Sequence, residues 1–139
     1  MIRLFAALDL PEPVAESLMR LQSGVPGARW QTREQLHLTL RFIGPVDGRD
    51  AASIDDMLSS IHDPRFTLEL KGVGEFGGKS PRALWAGAAP NEALLHLQRK
   101  IESAMQRLGL PAEERKYRPH VTLARLRGKV SMVIVEHHA

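Results

Sequence analysis

Alternating apolar and polar positions predict strands along this chain, and apolar residues at helical spacing predict the helices between them. The first apolar segment, Ile2 to Asp9, is rich in β-compatible residues, and Pro11 and Pro13 follow it, as they do at the start of a helix. Apolar residues then recur at helical spacing until Gly24 and Pro26. The chain therefore opens with a strand followed by a helix.

The same patterns predict the remaining elements. A second strand is expected over Leu36 to Ile43, closed by Gly44 and Pro45, and a second helix ends near His62 to Pro64. Asn91 begins the longest helix. Four more segments are predicted as strands: Phe66 to Leu70, Arg82 to Ala88, His120 to Leu126 and Val130 to Glu136. The glycines at 72, 74, 77 and 78 predict the loop of a hairpin, and the whole pattern predicts a two-layer α+β domain.

Composition narrows the class of protein. The length of 139 residues predicts that residues 1–139 form a single domain. A content of 43% hydrophobic residues is typical of a globular protein. No apolar run approaches the ~18 residues of a transmembrane helix, and no signal peptide is evident, so we expect a cytoplasmic protein without membrane contact. Because the chain has no cysteine, thiolate catalysis, disulfides and cysteine-based metal sites are excluded.

Positive charge is concentrated near the C-terminus. The net charge of +3 is too small to indicate nucleic-acid binding, but six basic residues and no acidic residue lie between Arg115 and Lys129. Such a patch attracts phosphate groups. A solvated basic surface explains the run equally well when the run is taken alone.

The tetrad His37-Leu38-Thr39-Leu40 recurs as His120-Val121-Thr122-Leu123. Because side chains alternate along a strand, the histidine and threonine of each copy share one face, and the apolar residues face the core. One copy alone would be an ordinary strand segment, but recurrence in a chain with six histidines favours catalysis or binding. Two imidazoles can supply a general acid and a general base, and threonine hydroxyls can donate to phosphate oxygens. The tetrads therefore predict a phosphodiester site that needs no metal.

Other histidines and a metal site are weaker candidates. Paired histidines are common metal ligands, but threonine, and no carboxylate or thiolate, accompanies each histidine on its own strand. His62 and His96 are expected to be exposed. His137 and His138 adjoin the C-terminus, where a tag remnant or a frayed end is expected rather than a pair of ligands.

Three aromatic residues could stack on a nucleobase: Phe42, Trp30 and Phe76. Packing in the core is the favoured interpretation for each of them.

With their neighbours, the tetrads resemble the motifs of the 2H phosphoesterase superfamily, and within it those of the RNA 2′,3′-cyclic phosphodiesterases, also called 2′-5′ RNA ligases. The order and spacing of the motifs match those of the family from Met1 to about Arg127. It rests on four stretches: Arg3 to Pro11, Leu36 to Gly44, Leu84 to Gly87 and Tyr117 to Arg125.

The resemblance implies a bilobal α+β fold, in which two antiparallel sheets with flanking helices surround a central cleft. It also implies metal-independent hydrolysis of RNA 2′,3′-cyclic phosphate ends to 2′-phosphomonoesters, with tRNA fragments among the candidate RNAs. Family members also join RNA ends through a 2′-5′ linkage without ATP, which can use the same histidines. We expect a monomer that requires no cofactor.

The resemblance assigns a role to five residues of this chain. His37 resembles the general acid that protonates the departing 3′ oxygen, and His120 the base that activates water. Thr39 and Thr122 would hold phosphate oxygens, and Arg125 matches an arginine that helps to bind the phosphate. In a regular strand Arg125 would point away from the face of Thr122, so a bend or bulge is needed for it to reach the site.

The C-terminus departs from the family pattern. Family members usually continue well past the second tetrad, whereas only residues 127–139 follow Leu126 here, so we expect the C-terminal part of the domain to be incomplete. Two alternative functions stay open: an RNA-end binding module without useful catalysis, and a 2H phosphodiesterase that acts on a small cyclic phosphate, such as an ADP-ribose cyclic phosphate.

Overall fold

The computed structural model describes residues 1–76 and 83–126 of the chain, without the side chain of Phe76. The described strands are β1 (Ile2–Asp9), β2 (Ala28–Trp30), β3 (His37–Val46), β4 (Leu70–Phe76), β5 (Ala83–Ala88) and β6 (His120–Leu126). The helices are α1 (Glu12–Arg20), α2 (Gly48–Ser59), α3 (Glu92–Arg107) and a short 3₁₀ helix (Arg33–Gln35). The predicted α+β class is confirmed. Among the described residues, no helix is long and apolar enough to cross a membrane.

The two longer helices begin where a side chain satisfies a free backbone N–H group. Before α2, the side chain of Asp47 accepts a hydrogen bond from the backbone of Asp50 at 2.8 Å. Before α3, Asn91 accepts one from the backbone of Leu94 at 3.0 Å. Gly109 follows α3 with φ of +94°, a left-handed conformation that glycine adopts without steric cost. The predicted start of the longest helix at Asn91 is therefore confirmed.

The chain forms two compact units that interleave in sequence. Among the described residues, unit 1 comprises Met1–Ala7, Thr39–Leu68 and Pro90–Arg118, and unit 2 comprises Leu8–Leu38 and residues 69–76, 83–89 and 119–126. In unit 1, β1 lies beside β3, and α2 contacts α3. In unit 2, the strand order is β3-β6-β5-β4, and β2 also pairs with β6. The organisation of residues 1–139 as one domain stays a prediction.

The strands bury the apolar residues that the tetrads predicted. Leu38 and Val121 are fully buried, and Leu40 and Leu123 are each 3% exposed. The histidine and threonine of each tetrad are half-buried on the alternate positions. The predicted alternation along both tetrads is therefore confirmed.

Two strands differ from the predicted ones because proline and glycine do not end them. β3 continues through Gly44 and Pro45 to Val46, and Pro45 is exposed. β4 covers Leu70–Phe76, whereas Phe66 to Leu70 was predicted, so two of the glycines expected in a loop, Gly72 and Gly74, lie inside a strand. The other two, at positions 77 and 78, lie outside the described residues. A Cβ atom on Gly74 would lie 2.2 Å from the ring of Trp85, so this glycine allows the Trp85 ring of the neighbouring strand β5 to pack against β4.

Other predicted elements are matched to different degrees. β4 and β5 pair antiparallel, which confirms the hairpin, although its loop residues 77–82 lie outside the described residues. The strand predicted over Val130–Glu136 also lies outside them. β2 was not predicted, because three residues are too few to show an alternating pattern.

Candidate active site

His37 and His120 are the first residues of β3 and β6 and belong to unit 2. These strands pair antiparallel, with Leu38 opposite Val121. In regular antiparallel geometry, His37 then lies beside Thr122, and the two histidines are diagonal neighbours whose Cβ atoms are about 7 Å apart. One phosphate group can bridge two imidazoles at this spacing.

β6 contains a bulge directly after Thr122. On the neighbouring strand β5, Trp85 lies opposite Thr122, but the preceding residue, Leu84, lies opposite Ala124. Leu123 is therefore the extra residue of a β-bulge. A bulge reverses which residues of a strand face each side, so it changes the direction of every side chain that follows.

The bulge turns Arg125 to the face of β6 that carries Thr122. Arg125 lies opposite Ala83, which is two residues from Trp85, and strand residues two apart share a face. Burial agrees with this assignment, since Ala124 is buried and Arg125 is exposed. The irregularity that Arg125 requires is thus present in β6.

Thr39 follows His37 by two residues and shares its side of β3. It belongs to unit 1, whereas the structure brings His37, His120, Thr122 and Arg125 together in unit 2. Within unit 1, the hydroxyl of Tyr117 donates a hydrogen bond to the carbonyl of Thr39 at 2.8 Å. Burial raises the pKa of Tyr117 well above its usual value, so the hydroxyl keeps the proton that it donates.

Two opposing influences act on the imidazole of His37. Burial lowers its pKa below the ordinary value of 6.5, and the negative charge of Asp9 raises it in part. Asp9 also accepts a hydrogen bond from the backbone of Leu10 at 3.0 Å and lies 3.7 Å from the guanidinium of Arg33. Asp9 was not among the predicted site residues, although it lies in the first stretch of the family resemblance.

Trp85 packs beside the second histidine. The ring centroids of Trp85 and His120 are 6.2 Å apart, with the rings tilted by 59°. The indole also lies against Gly74 and Gly87, where a Cβ atom would come within 2.2 Å and 3.1 Å of the ring. Trp85 therefore limits the space that the imidazole of His120 can occupy, a role that the strand pattern did not indicate.

The two tetrads are equivalent over six positions, not four. His37–Phe42 and His120–Arg125 show the same order of half-buried, buried and exposed residues, which places Phe42 where the second copy has Arg125. Phe42 is 49% exposed, and the guanidinium carbon of Arg3 lies 6.0 Å from its ring centroid. Leu40 and Arg41 are both buried, so the alternation along β3 shifts by one residue and Phe42 faces outward. The prediction that Phe42 packs in the core is therefore wrong.

The other two aromatic candidates are Trp30 and Phe76. Trp30 is half-buried, and the side chain of Phe76 lies outside the described part of the chain.

The remaining histidines do not join this cluster. His62 and His96 are exposed, as predicted, and His137 and His138 lie outside the described residues. Within residues 1–76 and 83–126, no group of three or more His, Cys, Asp or Glu side chains could hold a metal ion.

Residues 10–134 match the family model of the 2′-5′ RNA ligase superfamily. This chain belongs to that superfamily. The family resemblance predicted from the tetrads is thereby confirmed.

Three curated relatives from archaea and bacteria carry the name RNA 2′,3′-cyclic phosphodiesterase. The protein of Archaeoglobus fulgidus is 30% identical over 132 residues, which are 92% of this chain and 74% of the relative. That of Thermotoga maritima is 33% identical over 133 residues, which are 91% and 71%. That of Aeropyrum pernix is 39% identical over 97 residues, which are 68% of this chain and 55% of the relative. The chain thus spans about half of the Aeropyrum relative and under three quarters of the other two.

Solved structures confirm the fold class. The structure of TT0787 of Thermus thermophilus superposes on this chain with a TM-score of 0.84 at 28% sequence identity. The match covers 99% of this chain and 81% of the TT0787 chain. LigT of Escherichia coli, complexed with 3′-AMP, gives a TM-score of 0.82 at 28% identity, over 98% of this chain and 78% of its own.

Proposed function

We propose that this chain is an RNA 2′,3′-cyclic phosphodiesterase, a hydrolase that opens cyclic phosphate ends to 2′-phosphomonoesters. The observation that carries the proposal is the pairing of Leu38 with Val121, which makes the two histidines diagonal neighbours on adjacent strands. The names of the curated relatives support the reaction, and the 3′-AMP bound to the Escherichia coli protein supports a nucleotide substrate.

In the proposed reaction, His120 takes a proton from water while the water oxygen attacks phosphorus. The bond between phosphorus and the 3′ oxygen breaks, and His37 gives its proton to that oxygen. The 2′-phosphomonoester remains. Reversible 2′-5′ ligation without ATP is part of the proposal, since a 5′-hydroxyl can replace water and use the same two proton transfers.

Neutral and cationic donors would stabilise the charge of the transition state. Thr39 and Thr122 donate hydroxyl hydrogen bonds to the non-bridging oxygens in the proposal, and the guanidinium of Arg125 binds the same group. His37 must be protonated to act as the acid. Asp9 favours that form, as does the anionic phosphate once bound, and both oppose the effect of burial. These groups supply proton transfer and charge neutralisation without a metal ion.

Removing either imidazole should stop turnover without removing the RNA-end site. His37→Ala and His120→Ala are each expected to lower kcat about 10²- to 10⁴-fold on a short RNA with a 2′,3′-cyclic phosphate, because general acid and base contributions have that size. The assay contains EDTA, and filter binding of the RNA is measured in parallel. His96→Ala, which removes an exposed histidine from α3, is the matched control and should keep the wild-type rate.

Three results would contradict the proposal in different ways. A wild-type rate in either variant would reject the histidine assignment, and loss of wild-type activity in EDTA would reject the metal-free mechanism. RNA binding by the wild-type chain without any product would favour an RNA-end binding module.

A further inference from the structure

Two arginines lie directly opposite each other in unit 2. β2 and β6 pair antiparallel, with Arg29 as the register partner of Arg125, and both side chains are exposed. Cross-strand partners share a face and have Cβ atoms roughly 5 Å apart, and like charges in this arrangement destabilise a sheet. The pair therefore costs stability unless an anion lies between the two guanidinium groups.

No carboxylate of the described residues forms an ion pair with Arg29 or Arg125. The backbone nevertheless holds the two arginines together. Ala28 and Trp30 continue the register on either side of Arg29, and the N–H of Gln31 donates to the carbonyl of Leu123 at 2.9 Å. β2 is thus attached to β6 at the bulge itself, which fixes where Arg29 lies.

The bulge also determines which groups share a surface with this pair. Arg125 is on the face of β6 that carries Thr122 and His120, so Arg29 is on that face too. Arg125 follows Thr122 by three residues, a separation of at most about 10 Å along a strand. An anion held near the histidines is therefore within reach of two long, always charged side chains.

We propose that Arg29 is a second phosphate-binding residue, which binds the RNA end together with Arg125. The inference deepens the proposed function and rests on it. Two guanidinium groups on one side of a phosphate can each donate paired hydrogen bonds to its oxygens, which neutralises the like charges that face each other in the free protein. Arg29 has no signal in the sequence pattern, because its importance depends on the strand beside which β2 lies.

Thermal unfolding with and without inorganic phosphate tests this pair independently of catalysis. A bound anion stabilises the folded state, so phosphate should raise the Tm of the wild-type chain. Without phosphate, Arg29→Gln should have a Tm equal to or above that of the wild type, because one like charge is removed. With phosphate, its Tm should rise less. Arg29→Lys should retain part of the phosphate effect.

Arg20→Gln is the matched control, since Arg20 is an exposed arginine on α1 of the same unit. It should show the full phosphate-induced rise. An equal rise in Arg29→Gln and in the wild type would overturn the proposal, as would a lower Tm of Arg29→Gln in the absence of phosphate.

Two substrates then distinguish which phosphate Arg29 binds. A mononucleotide 2′,3′-cyclic phosphate has only the reacting phosphate, whereas a dinucleotide with the same end also has an internucleotide phosphate. Arg29→Gln should lower kcat/KM about tenfold, as expected for loss of a charged hydrogen bond.

A lower kcat/KM on both substrates assigns Arg29 to the reacting phosphate, and a lower kcat/KM on the dinucleotide alone assigns it to the neighbouring phosphate. No loss on either substrate overturns the proposal. A wild-type chain that turns over neither substrate would contradict the proposed function, and the Tm measurement would still decide on Arg29.

Discussion

The imidazole of His37 lies between an environment that disfavours its charged form and a carboxylate that favours it. Burial lowers its pKa, and Asp9 opposes part of that effect. A general acid needs its proton at the pH of the reaction. In the proposed mechanism, Asp9 therefore increases the protonated fraction of the general acid His37.

Asp9→Asn should lower the pKa of His37 further, because the influence that raises it is removed while burial remains. The protonated fraction at neutral pH then falls, and the rate should fall with it. NMR titration of the imidazole carbon-bound protons measures the pKa directly. Glu12→Gln is the matched control: it removes the carboxylate that lies 3.1 Å from Arg33 and should leave the pKa of His37 unchanged. An unchanged or higher pKa in Asp9→Asn would contradict this account.

Single residues could be predicted from sequence where a side-chain type repeats at strand spacing. The recurrence of histidine and threonine identified His37 and His120 as candidates, and alternation predicted which neighbours are buried. Asp9, Arg29 and Trp85 could not be found in this way. Their contributions to the candidate site depend on which distant strands pair with each other. The alternation of side chains within one strand does not show which strand lies beside it.

At the scale of elements, the β4–β5 hairpin connects a packing requirement to the site. The Trp85 ring on β5 needs the space that Gly74 leaves on β4, and the same ring packs beside His120 on β6. A change in β4 can therefore disturb the imidazole of His120 through the ring of Trp85.

Gly74→Ala should destabilise the fold by about 1–3 kcal/mol, because the added methyl group overlaps the Trp85 ring and forces it to move. Turnover should also fall, since that movement disturbs His120. Urea denaturation gives the change in the free energy of unfolding. Gly48→Ala is the control: a Cβ atom there meets nothing within 4 Å, so stability should be unchanged or slightly higher. Equal stability of the two variants would show that Trp85 tolerates the methyl group.

Elements were predictable where the apolar pattern is long and uninterrupted. β1 and β6 have the predicted bounds, and α3 begins after the predicted Asn91. β4 was displaced in the prediction because its glycines resemble loop residues, while in the fold one of them, Gly74, leaves space for the ring of Trp85. The bulge in β6 could be inferred only because Arg125 needs it to reach the site. The residues of β6 themselves do not indicate where the strand is irregular.

At the scale of the whole molecule, the chain spans part of the length of its relatives. It spans 74% and 71% of the Archaeoglobus and Thermotoga relatives, and 81% of the Thermus structure that it matches with a TM-score of 0.84. All the candidate site residues, from Asp9 to Arg125, lie in the described part of the chain. The account therefore predicts that this chain of 139 residues carries out the reaction.

The most direct measurement follows the terminal phosphorus by ³¹P NMR while the purified chain, in EDTA, acts on a short RNA that ends in a 2′,3′-cyclic phosphate. The account predicts that the cyclic phosphate signal is replaced by that of a 2′-phosphomonoester, because the 3′ oxygen is the leaving group. A 3′-phosphomonoester, or a cyclic phosphate that persists with folded and RNA-bound protein, would contradict it.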